Sequence, residues 1–151
     1  MKFFLLMVIV TNELYAGSCV HLNDRFNCVE YVKNYDADTI TFNIPGVHSI
    51  IGEKINIRVS GVDTPEIRTK NSCEKKLAKF AKKEVEKVLK GAKRIDLANI
   101  KRGKYFRIVA DVIIDGKSLT EFLIKSKYAY IYDGGKKKSQ DWCKRLPASL
   151  K

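Results

Sequence analysis

Residues 71–91, NSCEKKLAKFAKKEVEKVLKG, constrain the fold more than any other segment, because both ends of a helix are written into them. Asn71 can cap the first turn, and Glu74, three residues on, can reach back to it as in a capping box. Leu77, Ala81, Val85 and Val88 recur at helical spacing on one face, and lysines cover the other. Gly91 supplies a stop. The apolar face has to be covered by the rest of the chain, which reads mostly as strands. CVEYVKNYDADTITFNI holds two alternating segments around a turn-like NYDAD, and INIRVSGV is a third strand. AKRIDLANI and YFRIVADVIID follow the helix, with Asp115-Gly116 as a turn signal. IPGVHSIIGEK reads as a loop. SLTEFLIKSK reads as a short helix with Ser118 and Glu121 as its capping box, and YAYIYDGGKKKSQDWCKRL ends in another short helix. No repeat or interdomain linker interrupts the pattern. Short strands broken by one amphipathic helix predict an α+β, mainly β fold: a small barrel with attached helices.

Composition then narrows the partners. The chain has 151 residues, enough for one domain with a single core. Twenty-nine Lys and Arg against 17 Asp and Glu give a formal net charge of +12. That balance suits a polyanion, either nucleic acid or an anionic membrane surface; the plain alternative is a solvated basic surface. MKFFLLMVIV is one lysine followed by an apolar run too short to span a bilayer, and TNELYAGSC leads to small residues. Residues 1–16 therefore read as a signal peptide cut after Ala16, leaving a domain over 17–151 and a secreted or periplasmic protein. A lipid anchor on Cys19 is the alternative, and only that would bring the chain to a membrane. All four cysteines, Cys19, Cys28, Cys73 and Cys143, follow the cleavage site. In an oxidising compartment they predict two disulfides with three possible pairings. Cys19–Cys28 with Cys73–Cys143 is favoured, the first closing a short loop and the second tying the helix start to the C-terminal segment. With no C-x-x-C motif, a zinc site is not expected.

Acids and arginines carry the chemistry. YDADTITF supplies Asp36 and Asp38, and VSGVDTPE supplies Asp63 and Glu66. If both strands belong to one barrel, Asp38 and Asp63 can converge with the Thr64 carbonyl into an all-oxygen site suited to a hard cation such as calcium. Pro65 biases Thr64 towards extended geometry, which can aim that carbonyl. Arg58 precedes Asp63 on the same strand, and Arg107 opens a later one. Guanidinium groups bind phosphate oxygens in a bidentate way and keep their charge. Together with Glu66 to orient or deprotonate water, the set suits attack on a phosphodiester.

The blocks DADT (36–39), RVSGVDTPE (58–66), KYFR (104–107) and DGKSLTEFL (115–123) resemble the staphylococcal nuclease (thermonuclease) family in order and spacing. The resemblance covers roughly residues 27–132. It implies a five-stranded Greek-key barrel of the OB type with about three helices, and calcium-dependent hydrolysis of DNA and RNA leaving 3′-phosphates. Carried over, it makes Asp38, Asp63 and the Thr64 carbonyl the calcium ligands, Glu66 the general base, and Arg58 and Arg107 the catalytic arginines. Lys104 and Tyr105 match positions that contact a terminal phosphate. Two departures stand out: Ala37 and Phe106 each replace a glycine of the family pattern. Tyr128, Tyr130 and Tyr132 are candidates for base stacking or for strand packing. The GGKKK run at 134–138 is either a phosphate grip or a solvated loop, and His21 and His48 read as incidental.

The expected function is thus an exported, calcium-dependent nuclease acting on DNA and RNA with little sequence specificity. A silent OB-barrel module that binds nucleic acid or protein is the first rival, and a basic membrane-associated protein the second. No stable protein partner is implied.

Overall fold

The computed structural model describes residues 19–150. The expected signal peptide over 1–16 lies outside the described residues. Five strands form the body: β1 (Glu30–Asn34), β2 (Thr39–Asn43), β3 (Ile55–Val59), β5 (Ile95–Arg102) and β6 (Ile108–Ile114). They pair in the order β1-β2-β3-β6-β5, and short β7 (Lys117–Ser118) adds to β6. The sheet is antiparallel except between β3 and β6, which run parallel. A separate two-residue strand, β4 (Val62–Asp63), pairs with β8 (Tyr130–Ile131).

The ladder order does not close on itself. Its two ends are bridged instead by the segment ahead of β1, where Phe26 N–H and Val29 N–H donate to the Leu97 and Ile95 carbonyls at 2.9 Å each. The fold is therefore the mixed, mainly β arrangement expected, with three α-helices: α1 (Ser49–Gly52), α2 (Ser72–Lys90) and α3 (Leu119–Lys125). Ile40, Phe42, Ile57, Leu97 and Val112 alternate along the strands into a continuous core. Gly61, at φ +76°, turns the chain between β3 and β4, a conformation other residues adopt only under strain.

Helix α2 packs over this core and over the C-terminal turn at 142–145. Its buried residues are Leu77, Ala78, Ala81, Val85 and Leu89, while Val88 is only half-buried. The stripe is wider than the spacing implied because two surfaces cover it, Leu77 meeting Trp142 and Leu146. Leu77, Val85 and Leu89 each contribute about 1.5–3 kcal/mol by leaving water. Asn71 caps the helix by accepting from the Glu74 N–H at 3.0 Å. The Glu74 carboxylate does not close the capping box; it is engaged elsewhere, as described below. In α3, Ser118 accepts from the Glu121 N–H at 3.4 Å, and the Glu121 carboxylate pairs with Lys125.

Three local expectations are corrected. The loop after β2 contains the single-turn helix α1, capped by His48 accepting from the Ile50 N–H. His21 is likewise structural: it contacts the Pro45 carbonyl at 2.6 Å, accepts from the Asn27 N–H and meets Phe26 edge to face. The C-terminal helix is a 3-10 turn at Trp142–Arg145. Both disulfides, Cys19–Cys28 and Cys73–Cys143, are formed, with Cα separations of 5.4 and 5.0 Å. Among the described residues no helix is long and apolar enough to cross a membrane.

Candidate active site

The site forms where β2 begins and β3 ends. Asp36 makes the turn into β2: its Oδ1 accepts from the Asp38 and Thr39 N–H groups at 3.0 and 2.7 Å. Burial raises its pKa, and those hydrogen bonds and Arg58 oppose the rise. Thr39 pairs with Arg58 across β2 and β3, so Asp38 stands beside the arginine. Asp38 and Arg58 form an ion pair, with the Asp38 side chain 1% exposed and Arg58 17%. A buried carboxylate requires such a partner. The other Asp38 oxygen accepts from the Thr64 N–H at 3.2 Å and from the Thr64 hydroxyl. Arg58 also donates to the Val62 carbonyl at 3.1 Å, bracing the turn that carries Asp63.

Burial pushes the Arg58 pKa down. Asp36, Asp63 and Glu66 push it back up, and Arg107 lowers it further. Asp63, Glu66 and Arg107 therefore all lie within electrostatic reach of one guanidinium. Asp63 is buried in β4. The Lys137 ammonium lies 2.7 Å from its Oδ1 and pairs with it. Lys137 also reaches Glu66 Oε1 at 2.8 Å. Partial burial works against the ammonium, but Asp63 and Glu66 outweigh it and hold its pKa above the ordinary lysine value.

Glu66 is exposed on the loop before α2, and Glu74 pins that loop. The Glu74 carboxylate accepts from the Glu66 N–H at 3.0 Å and from the Thr69 hydroxyl at 2.7 Å. Its capping-box donor, the Asn71 N–H, goes instead to the Thr69 hydroxyl at 3.2 Å. A hollow of about 320 Å³ is lined by Asp63, Thr64, Glu66, Glu74 and Lys137. A second cleft of about 810 Å³ is lined by Arg58, Val62, Lys104, Arg107 and Tyr132. Asp63, Glu66 and Glu74 share the first hollow with Lys137 and Lys138, whereas the second is mainly cationic, with Asp133 its one acid.

The structure brings Asp38, Arg58, Asp63, Thr64 and Glu66 together and sets Arg107 and Lys104 along the cleft. Tyr105 points elsewhere, 87% exposed and outside the cleft lining. The three candidate tyrosines separate. Tyr128 packs edge to face on Phe80 and Phe122. Tyr130 is held between Trp142 and the Arg145 guanidinium, 3.5 Å from its ring centre. Tyr132 alone of the three lines the cleft. Sequence reasoning missed Lys137 and the role of Glu74. The GGKKK run marked the lysine's neighbourhood, but nothing local tied it to acids some 70 residues earlier.

No group of three or more His, Cys, Asp or Glu side chains is placed to hold a metal ion among the described residues. The donors that are present, two carboxylates and a backbone carbonyl, fit a hard cation in kind. The buried Asp63 Oδ1 is met by the Lys137 ammonium at 2.7 Å, so this carboxylate already draws a cation, and a hard metal ion would have to displace the lysine to take its place.

A family model described as Staphylococcal nuclease homologue matches residues 56–147, a span that includes Arg58, Asp63, Glu66 and Arg107. Two proteins of Bacillus subtilis (strain 168) are similar to the chain. Endonuclease YncB is 35% identical over 88 residues, 54% of this chain and 41% of that protein. The SPbeta prophage-derived endonuclease YokF is 33% identical over 106 residues, 65% of this chain and 33% of that protein. The chain thus spans less than half the length of either relative. With more than half of its own length matched by the family model, the chain belongs to the staphylococcal nuclease family.

Proposed function

We propose that the chain is an exported phosphodiesterase that hydrolyses DNA and RNA with calcium support. The observation that carries this reading is the meeting of Asp63 and Glu66 around Arg58, which shares a cleft with Arg107. Both relatives are named endonucleases, which agrees with it. Two disulfides fit an oxidising compartment and so support export.

Arg58 and Arg107 would grip the non-bridging oxygens of the scissile phosphate. Their charge matters most as negative charge builds on those oxygens during attack. Arg58 is pre-aligned by Asp38 and the Val62 carbonyl, so little reorganisation is needed. Glu66 would accept the proton of the attacking water at a carboxylate oxygen, once Lys137 releases it. Water's oxygen bonds to phosphorus while the phosphorus–oxygen bond to the leaving sugar breaks. Asp38, Asp63 and the Thr64 carbonyl would hold the cation, whose contribution is to draw charge from a phosphate oxygen. Lys104 would contact a neighbouring phosphate.

A second reading has an observation in its favour: Lys137 occupies both Asp63 and Glu66, as in a silent binding module. Digestion of plasmid and RNA with calcium, and again in excess chelator, separates the two. Calcium-supported cleavage lost with chelator is expected. Binding without cleavage under every divalent cation would establish the silent module, and full cleavage in chelator would remove the cation from the proposal.

A further inference from the structure

The tip of the β5–β6 hairpin carries a feature that the chemistry of phosphate does not require. Lys101 pairs with Val109 and Arg102 with Ile108, and the five residues between them form a tight loop. The Gly103 N–H donates to the Arg107 carbonyl at 2.7 Å, and the Arg107 N–H to the Lys104 carbonyl at 3.3 Å. A Cβ at Gly103 would lie 2.7 Å from Val109 Cγ2, so glycine is needed for the closure. Within the loop, Tyr105 and Phe106 both adopt left-handed backbone, at φ +57° and +58°. Five other non-glycine residues among those described adopt it singly, but only here do two do so in succession, and that backbone fixes what the tip displays.

What it displays is an aromatic ring in water. Phe106 is 82% exposed. The Arg102 guanidinium lies 5.4 Å from the centre of its ring, and Lys101, Lys104 and Arg107 lie within five residues of it along the chain. An exposed phenyl ring flanked by four cations is poor design for solubility but suits a base attached to a phosphate backbone. Phosphates meet the cations and the flat apolar base meets the ring. The ring is also in the right place. Lys104 and Arg107, on either side of it in sequence, line the cleft that contains Arg58. Phe106 does not itself line the cleft, so a strand would meet the ring on leaving past Lys104 and Arg107.

We infer that Phe106 is a base-stacking platform that gives this cleft a preference for unpaired nucleotides. The inference rests on the nuclease reading for its ligand class. A base inside a duplex has both faces covered, so only single-stranded or frayed nucleic acid can use the ring. The alternating positive and apolar character at the tip would also suit an anionic lipid surface, but continuity with the Arg58–Arg107 cleft favours nucleic acid.

The test is fluorescence anisotropy on the full exported chain in excess chelator, so that binding is read without cleavage. Two labelled strands of about eight nucleotides are compared, one of thymidines and one abasic with the same phosphates. The wild-type protein should bind the thymidine strand on the order of ten- to a hundredfold more tightly. Phe106→Leu should collapse that ratio while leaving abasic binding in place, and Phe106→Tyr should keep it. A ratio unchanged by Phe106→Leu overturns the platform. Equal wild-type binding of both strands also overturns it but leaves the nucleic-acid reading standing, whereas binding of neither strand brings down both. Phe106-dependent binding to phosphatidylglycerol vesicles with no base effect would assign the tip to a membrane. A dimer dispersed by Phe106→Leu would assign it to a second copy of the chain.

Discussion

The acid wall and the β5–β6 hairpin tip are built on opposite principles. Asp38, Asp63 and Thr64 are 0%, 5% and 3% exposed, each held at a strand end by other parts of the fold. Tyr105 and Phe106, with Lys104 and Arg107 beside them, stand in solvent on a loop whose backbone is strained. Charge buried in the wall must be matched when the chain folds, by Arg58, Thr64 and Lys137. Charge at the tip stays hydrated and waits for its partner. The wall therefore couples function to stability, whereas the tip can change function with little effect on folding.

The two arginines test this most sharply. Arg58→Ala leaves Asp38 buried without its counter-charge, which should cost about 3–5 kcal/mol of stability. It should also lower the maximal rate by about a hundred- to a thousandfold. Arg107→Ala should lose rate to a similar degree while its melting temperature stays within a degree or two of wild type, since it is exposed. Calorimetry beside steady-state kinetics reads both. Equal loss of stability in the two variants would erase the distinction. Reduction of the Cys73–Cys143 bridge is the next largest effect, about 4 kcal/mol in the chain-entropy account. It should lower the melting temperature more than the rate measured well below it, because the bridge tethers the segment carrying Lys137 and touches no reacting atom.

Lys137 sharpens the comparison further. Lys137→Met removes the ammonium from Asp63 and Glu66, which should tighten calcium binding measured by titration calorimetry. The lysine is nearly half exposed, so the gain is about 1 kcal/mol at most, roughly fivefold. Unchanged or weaker calcium affinity would mean that the lysine supports the wall and does not compete for it. The smallest effect belongs to the outer face of α2. Replacing Lys79, Lys82 and Lys83 with glutamine should leave the maximal rate unchanged and flatten the salt dependence of binding by less than about one unit of log–log slope per lysine. A lower rate at saturating oligonucleotide would place these lysines in the chemistry.

Much of this design was legible in the residues because it is local. Asn71 and Gly91 bound α2, and the period of Leu77, Ala81 and Val85 gives its face. The strand ending in Val62 and Asp63 announces its turn through Gly61 and its aim through Pro65. What escaped is what depends on packing. Glu74 has the spacing of a capping box, yet the Glu66 N–H and the Thr69 hydroxyl compete for the same carboxylate and win. The three tyrosines share one alternation, but only Tyr130 lies in a strand, so their rings go to three different surroundings. Lys137 looks like its two neighbours in a lysine run, and only the fold of the C-terminal segment singles it out. His48 reads as incidental until a one-turn helix gives it a backbone to cap.

The parallel pairing of β3 with β6 has a kinetic consequence. Every other ladder of the main sheet joins strands adjacent in sequence, but this one brings residue 57 beside residue 108, across α2 and β5. Closing so long a loop is entropically costly, so this pairing belongs to the slow end of folding. It is also the pairing that sets Arg58 and Arg107 beside one cleft. A chain still emerging from the ribosome, or held unfolded for transport, has no such cleft. The two arginines come to share a cleft only once this long-range contact has closed, which sets a delay between making the chain and assembling its candidate site.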